Sequence, residues 1–269
     1  MPTTLAAIVL LCGLPAPAQP SEYTTFFYPN AGHTLEAYLY KPDGPGPFPL
    51  VVYNHGSRAG AEREERPFPY IGRLLTAAGY AVVVPERRGY GKSEGRTFAD
   101  EVGTDRGAPF VARLHAEADD VLAAVEYAKR ELPVDPKRIA VMGWSFGGIV
   151  TTLAAAKDRE FRAAIAQAPG ALNWDRSPAL REALTEAGAR IHAPMLCMGA
   201  ENDATTKNVT GVCGAVKAHG GTADAIIYPP FKPSKNPDAP NAGHAIFSAE
   251  GVGIWSKDVL AFLTKYMKP

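Results

Sequence analysis

The pattern of apolar and polar positions changes character partway along this chain. From about Glu22, "EYTTFFYP" and "TLEAYLYKP" alternate between apolar and polar residues. That period predicts two half-exposed strands, paired antiparallel. The cluster "PDGPGPFP" predicts a turn. Beyond it the alternation stops. "LVVYNHG" from Leu50, "AVVVPE" from Ala81, "RIAVMGWS" from Arg138, "RAAIAQAPG" from Arg162 and "APMLCMG" from Ala193 are continuous apolar runs. Such runs fit strands covered on both faces, as in a parallel sheet. Helical stretches lie between them: "YIGRLLTAAG", "RLHAEADDVLAAVEYAKREL", "GGIVTTLAAAK" and "NVTGVCGAVKAHGG". A last strand, "ADAIIYPP", and a last helix, "GIWSKDVLAFLTKYM", end the pattern. The whole predicts an α/β fold with a doubly wound, mostly parallel sheet and antiparallel N-terminal strands. Ala171 to His192 departs from a simple crossover helix and predicts a small cap-like insertion. Pro229 to Gly243 predicts a long Pro-rich loop.

Composition refines this picture. The 269 residues, 46% of them hydrophobic, suffice for one well-buried core. Lys+Arg and Asp+Glu number 28 each, so no net field gathers nucleic acid or an anionic membrane. A small molecule is the expected partner. The N-terminus stands apart. "LAAIVLLCGL" is a short apolar run, and "APA" at Ala16 to Ala18 is a small-x-small cleavage pattern. Residues 1–18 are therefore expected to be a signal peptide, with the domain at 19–269 exported to a periplasm or beyond. The run is too short for a membrane-spanning helix. Leu11 before Cys12 argues against a lipid anchor. Losing Cys12 leaves Cys197 and Cys213, an even pair that invites a disulfide in an exported protein. Two small buried thiols are the alternative. No Cys/His spacing resembles a metal site.

Two segments carry Gly-x-Ser-x-Gly, around Ser93 and around Ser145. Chance alone produces this motif often, so its setting decides. Ser145 follows the strand "RIAVMG" and precedes the helix "GGIVTTLAAAK". That is the sharp strand-to-helix turn an exposed nucleophile needs. Ser93 sits in "ERRGYGKSEG" with no apolar helix after it, which predicts a Gly-rich turn. Its Gly-Lys-Ser lacks the earlier Gly of a phosphate-binding loop, because position 86 is Glu.

A serine hydroxyl needs a base, and the base needs an acid to orient it. On this kind of sheet the acid and then the base follow the nucleophile in the chain. His192 precedes a strand, at its wrong end. His219 reads as a helix C-terminal residue. His244, in "NAGHAIF" after the last strand, is the expected base. Asp203, in "AENDATT", is preferred to Glu201 as the acid because it lies further past the strand end. The oxyanion donors are expected to be the N–H groups of Phe146 and of Ser57, the latter in "YNHGSRAG". Trp144, Tyr90 and Phe231 are candidates for an apolar substrate wall, with ordinary packing as the alternative. Arg58, with Arg87 and Arg88, either binds a substrate carboxylate or forms internal ion pairs.

Three separated motifs, "NHGS", "GWSFGG" and "END…GH", resemble those of the α/β-hydrolase superfamily. The likeness is to dienelactone-hydrolase-like and prolyl-oligopeptidase-like members. "GYAVVVPERRGYGKSEG" is similar to their segment after the fourth strand, which makes the Ser93 motif structural. The resemblance implies the α/β-hydrolase fold, a Ser145–Asp203–His244 triad, and hydrolysis without a cofactor. It departs at the nucleophile, which is Cys in true dienelactone hydrolases. The expected reaction is hydrolysis of a carboxylic ester or lactone through an acyl-enzyme, with a peptidase or aminopeptidase as the alternative. A histidine base predicts activity that falls below neutral pH.

Overall fold

A computed structural model describes residues 22–267; the expected signal peptide and its cleavage point lie outside them. Strands β1 (Thr24–Asn30) and β2 (His33–Tyr40) form the antiparallel pair that their alternation predicts. β3 (Phe48–Asn54), β4 (Ala81–Glu86), β5 (Val134–Trp144), β6 (Ala163–Gln167), β7 (Met195–Ala200) and β8 (Ala223–Tyr228) complete one sheet. Its order is β1-β2-β4-β3-β5-β6-β7-β8. From β3 through β8 every pairing between neighbours is parallel, and β2 joins β4 antiparallel. The carboxyl ends of the parallel strands therefore share one edge of the sheet, where ligands of open α/β sheets sit.

Apolar burial explains the continuous runs. Along β3, Leu50 and Val52 enter one core, while Val51 and Tyr53 enter the other. The first core is covered by α3 (Ala108–Glu131), α4 (Phe146–Lys157), α6 (Pro178–Arg190) and α7 (Lys207–Ala218). The second is covered by α1 (Pro69–Ala77) and α8 (Val252–Tyr266). β3, β4, β6 and β7 are thus almost wholly covered on both faces and need no alternation, whereas the edge strand β8 stays partly exposed.

Three local features differ from the sequence reading. Phe98–Val102 forms a short helix, α2, whose Phe98 and Val102 are buried one turn apart. The Thr97 hydroxyl caps it by accepting from the Asp100 N–H at 3.1 Å. The long helix α3 begins at Ala108, five residues before its apolar period is plain. Within the expected cap, Ala171–Trp174, α5, and the two residues after it lie beside the site. α6 buries Leu180, Leu184 and Ala187 in the first core and packs between α4 and α7 as a crossover helix.

Cys197 on β7 and Cys213 on α7 are joined by a disulfide across a Cα separation of 6.1 Å. The crossover helix folds back on its own strand and brings the two together. No helix among the described residues is long and apolar enough to cross a membrane.

Candidate active site

Ser145 stands between β5 and α4 with φ 60° and ψ −115°. A non-glycine residue rarely adopts positive φ, and strain of this kind is held only where the surroundings enforce it. The enforcement is visible. A Cβ on Gly147 would run into the Asn54 carbonyl, and one on Gly143 into the Gly147 carbonyl. The strand and helix can close so tightly only with glycine at both positions. The Ser145 N–H donates to the Gln167 carbonyl at 2.8 Å, which fixes the turn to the end of β6.

The chain then brings His244 and Asp203 to this turn. His244 lies in a 3₁₀ turn, Ala242–Phe247, after the Pro-rich loop. Its Nε2 is 2.9 Å from Ser145 Oγ, and its Nδ1 is 2.8 Å from Asp203 Oδ2. Asp203 is 8% exposed, and its other oxygen accepts from the Ala204 N–H at 2.6 Å. A carboxylate held in this way fixes the imidazole with Nδ1 as donor and leaves Nε2 free to accept the serine proton. Glu201, the alternative acid, is exposed and outside this chain of hydrogen bonds. Asn202 accounts for the alignment. Its side chain accepts from the Phe231 N–H at 2.9 Å and donates to the Phe231 carbonyl at 2.8 Å. Its carbonyl accepts from the Gly243 N–H at 3.1 Å. The turn bearing Asp203 is thereby stitched to the loop bearing His244.

Ser57 lies on the loop after β3, and Gly56 beside it packs against the Trp144 carbonyl and the Ser145 Cβ. Among the described residues, the N–H groups of Ser57 and Phe146 donate to no protein acceptor. Phe146 is the first residue of α4, where the helix leaves its amide unpaired and its dipole favours negative charge. A cleft of about 170 Å³ is lined by Gly56, Ser57, Trp144, Ser145, Leu172 and His244. Among the described residues, no group of three or more His, Cys, Asp or Glu is placed to hold a metal ion.

The remaining substrate candidates divide. Trp144 lines the cleft, with its ring centre 5.7 Å from that of His244. Tyr90 does not: it is 1% exposed, packed edge-on against His55 at 4.6 Å and beneath Arg58 and Arg87. Phe231 lies outside the cleft lining and packs against the second core. Arg58 is buried in an ion pair with Glu86 and donates to the Glu64 carbonyl at 2.8 Å. Arg87 pairs with Glu117 at 2.7 Å, and Arg88 with Asp120 at 2.7 Å. None of these arginines lines the cleft; their charges face the acidic side of α3 or the end of β4. Ser93 is likewise structural. Its hydroxyl accepts from the Glu36 N–H at 2.7 Å and donates to the Glu86 carbonyl, tying β2 to β4. Sequence reasoning missed Leu172, which lies in α5 shortly after β6 but carries no chemical mark.

The strand order and the strand–turn–helix at Ser145 are those of the α/β-hydrolase fold. Residues 68–186 match the model of the prolyl oligopeptidase family. The esterase Pf2001 of Pyrococcus furiosus shares the fold at a TM-score of 0.66 and 19% identity, over 92% of each chain. A protein of Escherichia coli (strain K12) named as a carboxymethylenebutenolidase is 28% identical over 83% of this chain and 81% of its own. The quorum-quenching protein AidA of Acinetobacter baumannii is 32% identical over 55% of this chain, a match that spans 44% of AidA. The likeness in fold extends over nearly the whole chain and the family match over residues 68–186, while the chain spans less than half the length of the curated relatives that it matches at 30% identity or more.

Proposed function

We propose that the protein hydrolyses carboxylic esters or lactones of small substrates through an acyl-enzyme at Ser145. The observation that carries this reading is the chain of hydrogen bonds Ser145–His244–Asp203 at 2.9 and 2.8 Å on a strained turn. Ser145 Oγ attacks the carbonyl carbon as its proton passes to His244 Nε2. Asp203 stabilises the imidazolium that forms. The oxyanion is received by the N–H groups of Ser57 and Phe146, each without a protein acceptor. The leaving alcohol departs with the proton from His244, and water then releases the acyl group by the same route in reverse. No step requires a cofactor.

Ester rather than peptide hydrolysis is supported by the likeness to the Pyrococcus furiosus esterase and to the carboxymethylenebutenolidase, each over most of both chains. The family match at residues 68–186 favours a second reading, a serine peptidase with the same triad. Export to an oxidising compartment is part of the proposal, supported by the Cys197–Cys213 disulfide.

Fluorophosphonate labelling followed by peptide mass spectrometry tests the site. Label on Ser145 that disappears in His244→Ala is the expected result. No label on folded protein would remove this reading. Comparing p-nitrophenyl esters with aminoacyl p-nitroanilides separates the two substrate classes.

A further inference from the structure

The geometry points to Leu172 as the residue that limits the length of the acyl group. This rests on the reading of Ser145 as nucleophile. The space around the triad has two compartments. The smaller, about 170 Å³, holds Ser145 and His244 and is bounded by Trp144, Ser57 and Leu172. The larger, about 460 Å³, is lined by Asp175, Arg176, Ala204, Pro240 and Asn241. Leu172 lines both, so its side chain is their common wall.

The mechanism assigns an occupant to each. The leaving oxygen takes its proton from His244, so the leaving group lies on the imidazole side. His244 itself lines the smaller compartment, and the larger one opens beyond it, beside Ala204 and Asn241. The Asn241 carbonyl accepts from the His244 N–H at 2.9 Å, and Ala204 adjoins Asp203. The acyl group is bonded to Ser145, which lines only the smaller compartment, and therefore begins there, beside the oxyanion donors. That compartment is less than half the size of the larger one, so a short acyl chain lies within it and a long one is directed against Leu172.

Leu172 is also held where a wall must be. The Gly170 N–H donates to the Ser145 carbonyl at 3.4 Å, so the start of α5 is tied to the nucleophile itself. The Asn173 and Trp174 N–H groups both donate to the Gly170 carbonyl at 2.9 Å. The Arg176 guanidinium donates to the Leu172 carbonyl through Nε at 3.2 Å and Nη2 at 2.6 Å. The backbone of Leu172 is therefore held close to the reacting atoms, which keeps its side chain at the boundary of the two compartments. Removing it would join the two compartments.

The test is a p-nitrophenyl ester series from acetate to dodecanoate, read as ratios of kcat/KM. In the wild-type protein the octanoate-to-butanoate ratio should be at most about one tenth, since excess methylenes in a closed pocket are rejected by about tenfold or more. L172A should raise that ratio at least about tenfold, and L172F should lower butanoate relative to acetate by about the same factor. L172F keeps the test decisive if L172A does not fold. A wild type that takes octanoate as well as butanoate would overturn the proposal. So would a folded L172A, labelled at Ser145, with an unmoved ratio. Absence of label on wild-type Ser145 would instead remove the underlying site reading, and the proposal with it.

Discussion

At the scale of single residues, two groups carry opposite kinds of evidence. Ser145 is legible in the sequence because a strand, a pair of glycines and a helix must coincide to expose it. His244 and Asp203 follow from chain order and from the strand ends they occupy. Ser145→Ala and His244→Ala should each lower turnover by about a millionfold, and Asp203→Asn by about ten thousandfold, in steady-state assays on p-nitrophenyl acetate. An Asp203→Asn variant as active as wild type would show that the acid lies elsewhere. His55 shows the limit of such reading. Its sequence position before the nucleophile excludes it as base but does not reveal its burial. Burial, and then the charges of Arg87 and Arg58, hold its imidazole well below histidine's ordinary 6.5. It is neutral in the fold, with Nδ1 2.8 Å from the Gly56 carbonyl, to which it donates. The unfolded chain gains a proton at this site as pH falls through about 6.5, and the folded chain does not. Stability from His55 is therefore present above that pH and is lost below it, at about 1.4 kcal/mol per pH unit until the depressed folded pKa is reached. The stability difference between wild type and His55→Asn should shrink between about pH 7 and about pH 5.5 in urea titrations. A pH-independent difference would mean that His55 titrates alike in both states.

At the scale of elements, periodicity succeeded where burial is uniform and failed where it is local. The parallel strands are legible because both faces are covered, so each run is wholly apolar. α2 escaped notice because five residues hold only one buried pair, Phe98 and Val102, too short for a period to show. α6 reads as part of a cap because polar residues crowd Ser177 to Arg190. Its three buried apolar residues nevertheless lie on one stripe, and that stripe decides its place against α4 and α7. The disulfide was left open by the sequence, since spacing alone cannot show that α7 returns to β7. It closes a loop with a sequence separation of 16 residues. A loop of that size restricts the unfolded chain enough to stabilise the fold by about 3 kcal/mol. The double variant Cys197→Ser, Cys213→Ser should lose about that much in guanidinium unfolding. Reductant should lower the wild-type midpoint toward the variant's and leave the variant unmoved. Equal midpoints for the two proteins without reductant would contradict this.

At the scale of the whole molecule, the charges absent from the cleft form a buried network that joins the sheet, α3 and the loop carrying Ser57. Sequence alone cannot show these pairs, because their members stand far apart in the chain: Arg58 with Glu86, Arg87 with Glu117, Arg88 with Asp120. It shows only that arginines cluster near strand ends, which serves a substrate carboxylate or an internal pair equally well. Packing decides for the pair, since α3 turns Glu117 and Asp120 toward the end of β4. Glu117 is the centre of this arrangement. Fully buried, it accepts from Arg87 Nε at 2.7 Å and from Arg113 Nε at 3.1 Å. Arg87 also donates to the His55 carbonyl at 3.0 Å, two residues before Ser57, and Arg113 to the Arg88 carbonyl at 2.6 Å. Neutralising Glu117 leaves the buried Arg87 guanidinium without its carboxylate and Arg113 with only the half-exposed Glu101, which costs far more than an unmade surface pair. Glu117→Gln should therefore destabilise the protein by about 3–5 kcal/mol. Arg73→Ala breaks an exposed pair with Glu22 and should cost under about 1 kcal/mol. Urea unfolding of both variants measures the contrast directly. Equal losses would mean that water or relaxation satisfies Arg87 and Arg113 without Glu117, and that the network does not couple α3 to the Ser57 loop.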